Sequence, residues 1–202
     1  IMGLAKKVLI SNSMAVIVDR IFEMNTNVSI PVTLAWLGSI AYTLQIFFDF
    51  SGYSDMAIGL GLMFGFKFDE SFNYPYVSKS ISEFWRRWHI SLGTWMKDYV
   101  FYPFSISKPM ARFSKLAKKK FGKQTGRVLP VCLANLLIFF IVGVWHGASW
   151  KYILYGFYNG IIIAVSNLLK PLYGKGLAKC HINPDSWYWR GFKMLRTFIL
   201  VN

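Results

Sequence analysis

Three histidines occur in the chain, and two of them stand where an imidazole can do chemistry. His146 lies in Val142-Gly-Val-Trp-His-Gly-Ala-Ser-Trp150, between two apolar runs, Val128–Val144 and Tyr152–Leu169, each with the length and character of a membrane helix. Ionisable groups at such depth are costly and usually line a cavity or pathway. With a reference pKa of about 6.5, an imidazole takes a proton from a hydroxyl near neutral pH. His146 therefore reads as a general base or, taken alone, as a hydrogen-bonded structural histidine at a helix end. His89 lies in Glu83-Phe-Trp-Arg-Arg-Trp-His-Ile-Ser-Leu92, after Trp85, Arg86, Arg87 and Trp88. His181, beside Asn183-Pro184 in an exposed basic segment, is assigned no role. No metal cluster, nucleophile or phosphate-binding loop competes with the histidines.

Several elements must position these groups. Ser80-Ile-Ser-Glu83 has capping-box spacing and predicts a helix start. At 100° per residue, Trp85, His89, Leu92 and Met96 fall on one stripe, flanked by Phe84, Trp88 and Trp95. Glu83, Arg86, Arg87, Thr94, Lys97 and Asp98 fall opposite, with Glu83 close enough to pair with either arginine. His89 should thus point inward, to the cavity that His146 enters, and Pro103 should end or kink the helix. Upstream, residues 1–23 form a membrane helix end or an interfacial helix, and Asn25–Ser29 is turn-like. Pro31 opens a crossing over Val32–Phe48, with Asp49-Phe-Ser-Gly-Tyr-Ser-Asp55 as a polar knot at its end. Gly59, Gly61 and Gly65 follow no strand and lack dinucleotide spacing, so they suit close helix packing instead. Asp69–Val77 is a loop.

The balance of residue types agrees with a membrane setting. Of 202 residues, 54% are hydrophobic and 18% aromatic, more apolar side chain than a soluble domain of this size would hide. The expected fold is an all-α, polytopic membrane helix bundle with interfacial or re-entrant amphipathic helices. Residues 1–107 are neutral, whereas residues 108–202 carry fifteen Lys or Arg and one acid, Asp185, which accounts for the whole net charge of +14. Basic segments between uninterrupted apolar runs follow the positive-inside rule and argue against nucleic acid as a partner. Lys108–Arg127 holds eight basic residues and no acid. It reads as a solvated cytoplasmic loop touching anionic lipid, with a contribution to holding a phosphorylated acyl donor as a secondary reading. Two crossings return Lys170–Lys193 to the same side. Cys132 and Cys180 make neither a disulfide framework nor a metal signature. No signal-peptide pattern is present, and Phe198-Ile-Leu-Val-Asn202 looks like a helix cut short. The expectation is one membrane domain over 1–202, a fragment truncated at both ends.

Three blocks together resemble the membrane-bound O-acyltransferase (MBOAT) family, in the branch of the alginate O-acetylation and D-alanyl transfer proteins. They are Phe48-Asp-Phe-Ser-Gly-Tyr-Ser-Asp-Met-Ala-Ile-Gly59; Phe72-Asn-Tyr-Pro-Tyr76 continuing to the Glu83–Leu92 block and Asp98-Tyr99; and Gly143-Val-Trp-His-Gly-Ala-Ser-Trp150. The resemblance implies a multi-pass enzyme of the cell membrane, in bacteria the plasma membrane. It would move an acyl group, acetyl in the main reading, from a cytoplasmic thioester donor (acyl-CoA or acyl carrier protein) to hydroxyls of an exported polysaccharide. The thioester is a substrate, with no bound cofactor or metal implied. D-alanyl transfer to teichoic acid is the alternative, and a partner extracytoplasmic acyltransferase can complete either route. The family's catalytic base maps onto His146 and its second characteristic histidine onto His89. Relatives often carry His-Gly where this chain has Asn159-Gly160, and alginate-type members carry a glycine-rich turn where it has Phe101–Ser107.

Acyl transfer to an alcohol needs a base at the hydroxyl and stabilisation of the developing oxyanion, which suits a histidine in a water-poor site. Trp145 and Trp150 either wall that cavity or belong to an interfacial belt. Trp85, Trp88, Arg86, Arg87 and Asn159 are expected to bind substrate or support the site. Asp49 and Asp55 either pair with Arg86 or Arg87 or cap a helix end. A transporter of a lipid-linked precursor is the rival from another class, but it calls for an internal repeat that the sequence lacks.

Overall fold

The computed structural model describes residues 1–25 and 29–202, so the turn expected over Asn25–Ser29 lies mostly outside the described residues. Every regular element among them is a helix. Three helices, Val32–Met63, Lys108–His146 and Trp150–Lys179, are long and apolar enough to cross a membrane, which makes this a helical membrane protein. By packing, the chain divides into residues 1–73 with 202, and residues 74–201.

In the first unit, Met2–Ala5, a wide turn Lys6–Ser11 and Asn12–Asn25 follow one another as helix α1. It packs against α2, Val32–Met63. Two glycines set the crossing. A Cβ on Gly3 would lie 2.3 Å from the Gly52 carbonyl oxygen, and one on Gly52 2.7 Å from the Gly3 oxygen. That close approach brings Lys6 to Asp55 at 2.7 Å and Lys7 to Asp49. The polar knot therefore does not end the crossing, as the sequence suggested. It sits inside one 32-residue helix, where the lysines of α1 compensate carboxylates that would otherwise be costly. Within this unit Asp49 and Asp55 pair with those lysines.

In the second unit, the predicted cap is present in a shifted form: the Glu83 amide donates to Ser80 Oγ at 3.2 Å, while Glu83 Oε2 accepts from the amide of Lys79, the residue before the cap, at 2.9 Å. The helix it opens, α3, runs only over Ile81–Phe84. His89 then takes a left-handed conformation, φ 48° and ψ 53°, and caps α4, Ile90–Met96, which continues through a wide turn at Lys97–Phe101 into Tyr102–Ser105. The single amphipathic helix predicted through His89 is thus two helices, and its stripe is broken there. Tyr76, Phe84, Trp85 and Trp88 pack ring against ring, with Trp85 resting on Phe139 at 5.3 Å.

Lys108–His146 forms α5, interrupted at Gly122, whose φ of 83° only glycine adopts without cost. Segment 108–121 is therefore helix rather than loop, which corrects the reading of Lys108–Arg127. It folds back so closely that a Cβ on Gly126 would lie 2.4 Å from Lys118 Cα. Trp150–Lys179 is α6 and Trp187–Val201 is α7. Glycines again bring α5 and α6 together: a Cβ on Gly156 would meet the Phe139 oxygen at 2.3 Å and one on Gly143 the Tyr152 oxygen at 2.8 Å.

Candidate functional site

The α5–α6 hairpin presents His146 as the last residue of α5. Gly147 follows at φ 150°, where a Cβ would touch the Tyr152 ring at 3.0 Å. The helix stops there because φ 150° and ψ 160° lie outside the helical region, and the position suits glycine because a side chain at 147 would push Tyr152 away. Tyr152 in turn lies parallel to the His146 imidazole, ring centroids 6.2 Å apart. Trp145 stands between the two histidines, with its ring centroid 4.8 Å from His146 and 6.2 Å from His89. The third block and the tryptophan-arginine block thus converge on Trp145, through a bend rather than along the helical stripe that the sequence predicted.

His89 is half-buried. Burial pushes its pKa below the ordinary value, and the charge His146 can carry adds to the effect. At neutral pH it is therefore an uncharged imidazole, able to donate from one nitrogen and accept at the other. Its left-handed backbone is unusual for a residue with a side chain and costs on the order of 1 kcal/mol or more, a strain found where a side chain must be aimed. His146 itself is exposed on this chain, so residues 74–201 do not by themselves form the water-poor enclosure that the sequence suggested.

The remaining candidates separate into groups. Trp85 donates from Nε1 to Asn159 Oδ1 at 3.1 Å, and Asn159, fully enclosed at 0% exposure, donates to the Tyr155 oxygen at 3.0 Å. Asn159 therefore clamps the segment before His89 onto α6, a role the sequence did not reveal. Trp88 stacks on Phe84, and Arg87 pairs with Glu83 at 3.0 Å, so both brace the bend. Arg86 is exposed, and Trp150 stands 75% exposed at the start of α6. Asp49 and Asp55 belong to the lysine pairs of the first unit. Missed altogether were Tyr152, Lys6 and Lys7; for the lysines the one available signal was that two bases in one apolar segment equal in number the two acids of another. No group of three metal-ligating side chains occurs among the described residues. A groove of about 300 Å³ has Ser80, Ile81, Ile161, Val165 and Arg196 among its lining, and neither histidine.

A hairpin of spanning helices that ends on a histidine faces a second histidine held by a tryptophan-rich bend, and the two come from the second and third sequence blocks. Residues 1–179 match the MBOAT, membrane-bound O-acyltransferase family, and the chain belongs to it. Among its relatives, a probable alginate O-acetylase of Pseudomonas aeruginosa is 41% identical over 200 residues, 98% of this chain and 32% of the relative. The peptidoglycan O-acetyltransferase of Helicobacter pylori is 39% identical over 201 residues, 99% of this chain and 33% of the relative. The teichoic acid D-alanyltransferase of Bacillus subtilis is 38% identical over 129 residues, 64% of this chain and 30% of the relative. The chain thus spans about a third of the length of these proteins.

Proposed function

We propose that this chain carries the histidine centre of an O-acyltransferase of the bacterial plasma membrane, one that moves an acetyl group from a cytoplasmic thioester to a hydroxyl of a cell-envelope polysaccharide. The observation that carries the proposal is the convergence of His89 and His146 on Trp145. His146 takes the proton of the acceptor hydroxyl as the oxygen attacks the thioester carbonyl; a C–O bond forms, and the C–S bond breaks. The imidazolium then returns the proton to the departing thiolate. His89, neutral and aimed by its backbone, holds the hydroxyl or the carbonyl in line. The donor is acyl-CoA or an acyl carrier protein, and the acceptor is reached directly or through a partner extracytoplasmic acyltransferase.

Distance along the helix supports the division of sides. From Arg127, at the basic end of α5, to His146 is nineteen residues, about 28 Å at 1.5 Å per residue. That is close to the roughly 30 Å of a bilayer's hydrocarbon core. With the basic ends in the cytoplasm, the histidines stand near the far side, where an exported polymer is accessible.

The relatives favour acetyl as the group transferred, since two of the three named carry acetyl transfer in their names and match nearly all of this chain. The test is complementation. Cells lacking the full-length protein should lose O-acetyl esters from an envelope polysaccharide and regain them with the intact gene. Loss of D-alanyl esters instead, with acetylation intact, would assign the other donor.

A further inference from the structure

We propose that segment 108–121 of α5 is an interfacial helix that binds anionic phospholipid headgroups through the stripe Lys108, Arg112, Lys115 and Lys119. The inference is independent of acyl transfer. At 100° per residue these four side chains, spaced four, three and four apart, fall within about 60° of one another. All four are exposed, and the sequence has no acid from residue 99 to residue 184 that might neutralise them.

Like charges at these spacings oppose helix formation, yet the segment is helical. Its start is fixed by Ser107, whose Oγ accepts from the Met110 amide at 3.4 Å, and by Pro109 in the first turn. Its inner face is fixed by Met110 and Ala117, 4% and 3% exposed. Nothing in that packing offsets the repulsion along the stripe; an anionic surface does.

One flank of the stripe carries Leu116, 66% exposed, and Phe113, 38%, a shoulder that water does not favour and acyl chains do; Lys120 lies between them, with a stem long enough to carry its ammonium to the headgroups. The return at Gly122 and the contact of Gly126 with Lys118 hold the segment against the end of a membrane-spanning helix, at the level where headgroups lie. A basic stripe beside an apolar shoulder at that depth recognises a phosphodiester headgroup and its upper acyl chain together. A free phosphate would use the stripe and leave the shoulder in water. An acidic protein surface would have no need of the proximity to the bilayer.

The test uses the full-length protein in nanodiscs, with a bimane fluorophore on a single cysteine replacing Leu116 in a background without other cysteines. Quenching by a spin-labelled lipid reports insertion of the shoulder. Quenching should be several-fold stronger with phosphatidylglycerol present than in phosphatidylcholine alone, since each basic residue near an anionic surface strengthens association about fivefold. Lys108→Gln, Arg112→Gln, Lys115→Gln and Lys119→Gln combined should weaken that difference several-fold while leaving the phosphatidylcholine value unchanged, which also reports an intact fold; the same four-residue change made at Lys118, Lys120, Lys123 and Arg127 should weaken it less. High salt should weaken the effect. Equal quenching in the two lipids, or a phosphatidylglycerol effect undiminished by the four stripe substitutions, overturns the proposal. So does loss of the effect on adding millimolar inorganic phosphate at constant ionic strength, which would mark a free-anion site.

Discussion

The clamp formed by Trp85 and Asn159 offers the sharpest test of how the site is held. Asn159→Leu keeps the branched shape of the side chain, at a somewhat larger volume, but removes the acceptor, leaving the indole N–H of Trp85 facing an apolar wall. An unpaired buried donor costs about 1–3 kcal/mol, although in membrane proteins the measured net worth of such a bond averages nearer 0.6 kcal/mol. Trp85→Phe removes the donor and retains an aromatic ring against Phe139, but it strands the Asn159 oxygen at a position with 0% exposure. Each single substitution should therefore destabilise by about 1–3 kcal/mol, while the double variant removes both polar ends at once. Reversible unfolding of the full-length protein in mixed micelles should give a double variant more stable than the sum of the singles by about 1 kcal/mol or more. Additivity within about 0.3–0.5 kcal/mol would refute the clamp. Because the clamp anchors the bend that carries His89, Asn159→Leu should also lower acyl transfer at temperatures where the protein remains folded.

Three further outcomes follow from the geometry. His89→Gln, which keeps a hydrogen-bonding end, should retain more acyl transfer than His89→Ala; equal losses would mean that His89 moves a proton. The native state favours uncharged His89, so its contribution to stability is complete above the unfolded pKa of about 6.5 and declines as pH falls below it toward the lower native value. Unfolding measured from pH 7 to 5 should accordingly depend less on pH in His89→Gln, and an unchanged slope would show that the imidazole is not held neutral. Cysteines placed at Ser114 or Gly174 should resist an impermeant thiol reagent outside intact cells; labelling at either would reverse the topology.

The spanning helices and the histidine pair were legible in the sequence, because apolar length and a lone ionisable group are signals of composition. The fold inside each block was less so. A helical period through Ser80–Met96 hides a bend at His89, since no glycine or asparagine marks the left-handed residue and only its packed surroundings hold it there. The Asp49–Asp55 knot looked like a helix end because its partners, Lys6 and Lys7, lie more than 40 residues away and meet it through the Gly3–Gly52 crossing. Asn159 registered as a departure from its relatives rather than as a clamp, since its partner is Trp85, 74 residues earlier. Lys108–Arg127 looked like a loop on charge alone, while Met110 and Ala117, at helical spacing, make its inner face. Gly122 was the visible sign of the turn.

The central claim is that His146 takes the acceptor's proton, and single-turnover acyl transfer by purified full-length protein tests it directly. General-base catalysis contributes about 100- to 10,000-fold, so His146→Ala and His146→Gln should both lose at least about 100-fold, with abundance and membrane insertion unchanged. The amide of glutamine cannot act as a base at neutral pH, which makes the two variants equivalent for this step. Transfer by either variant within about tenfold of the parent protein would contradict the assignment.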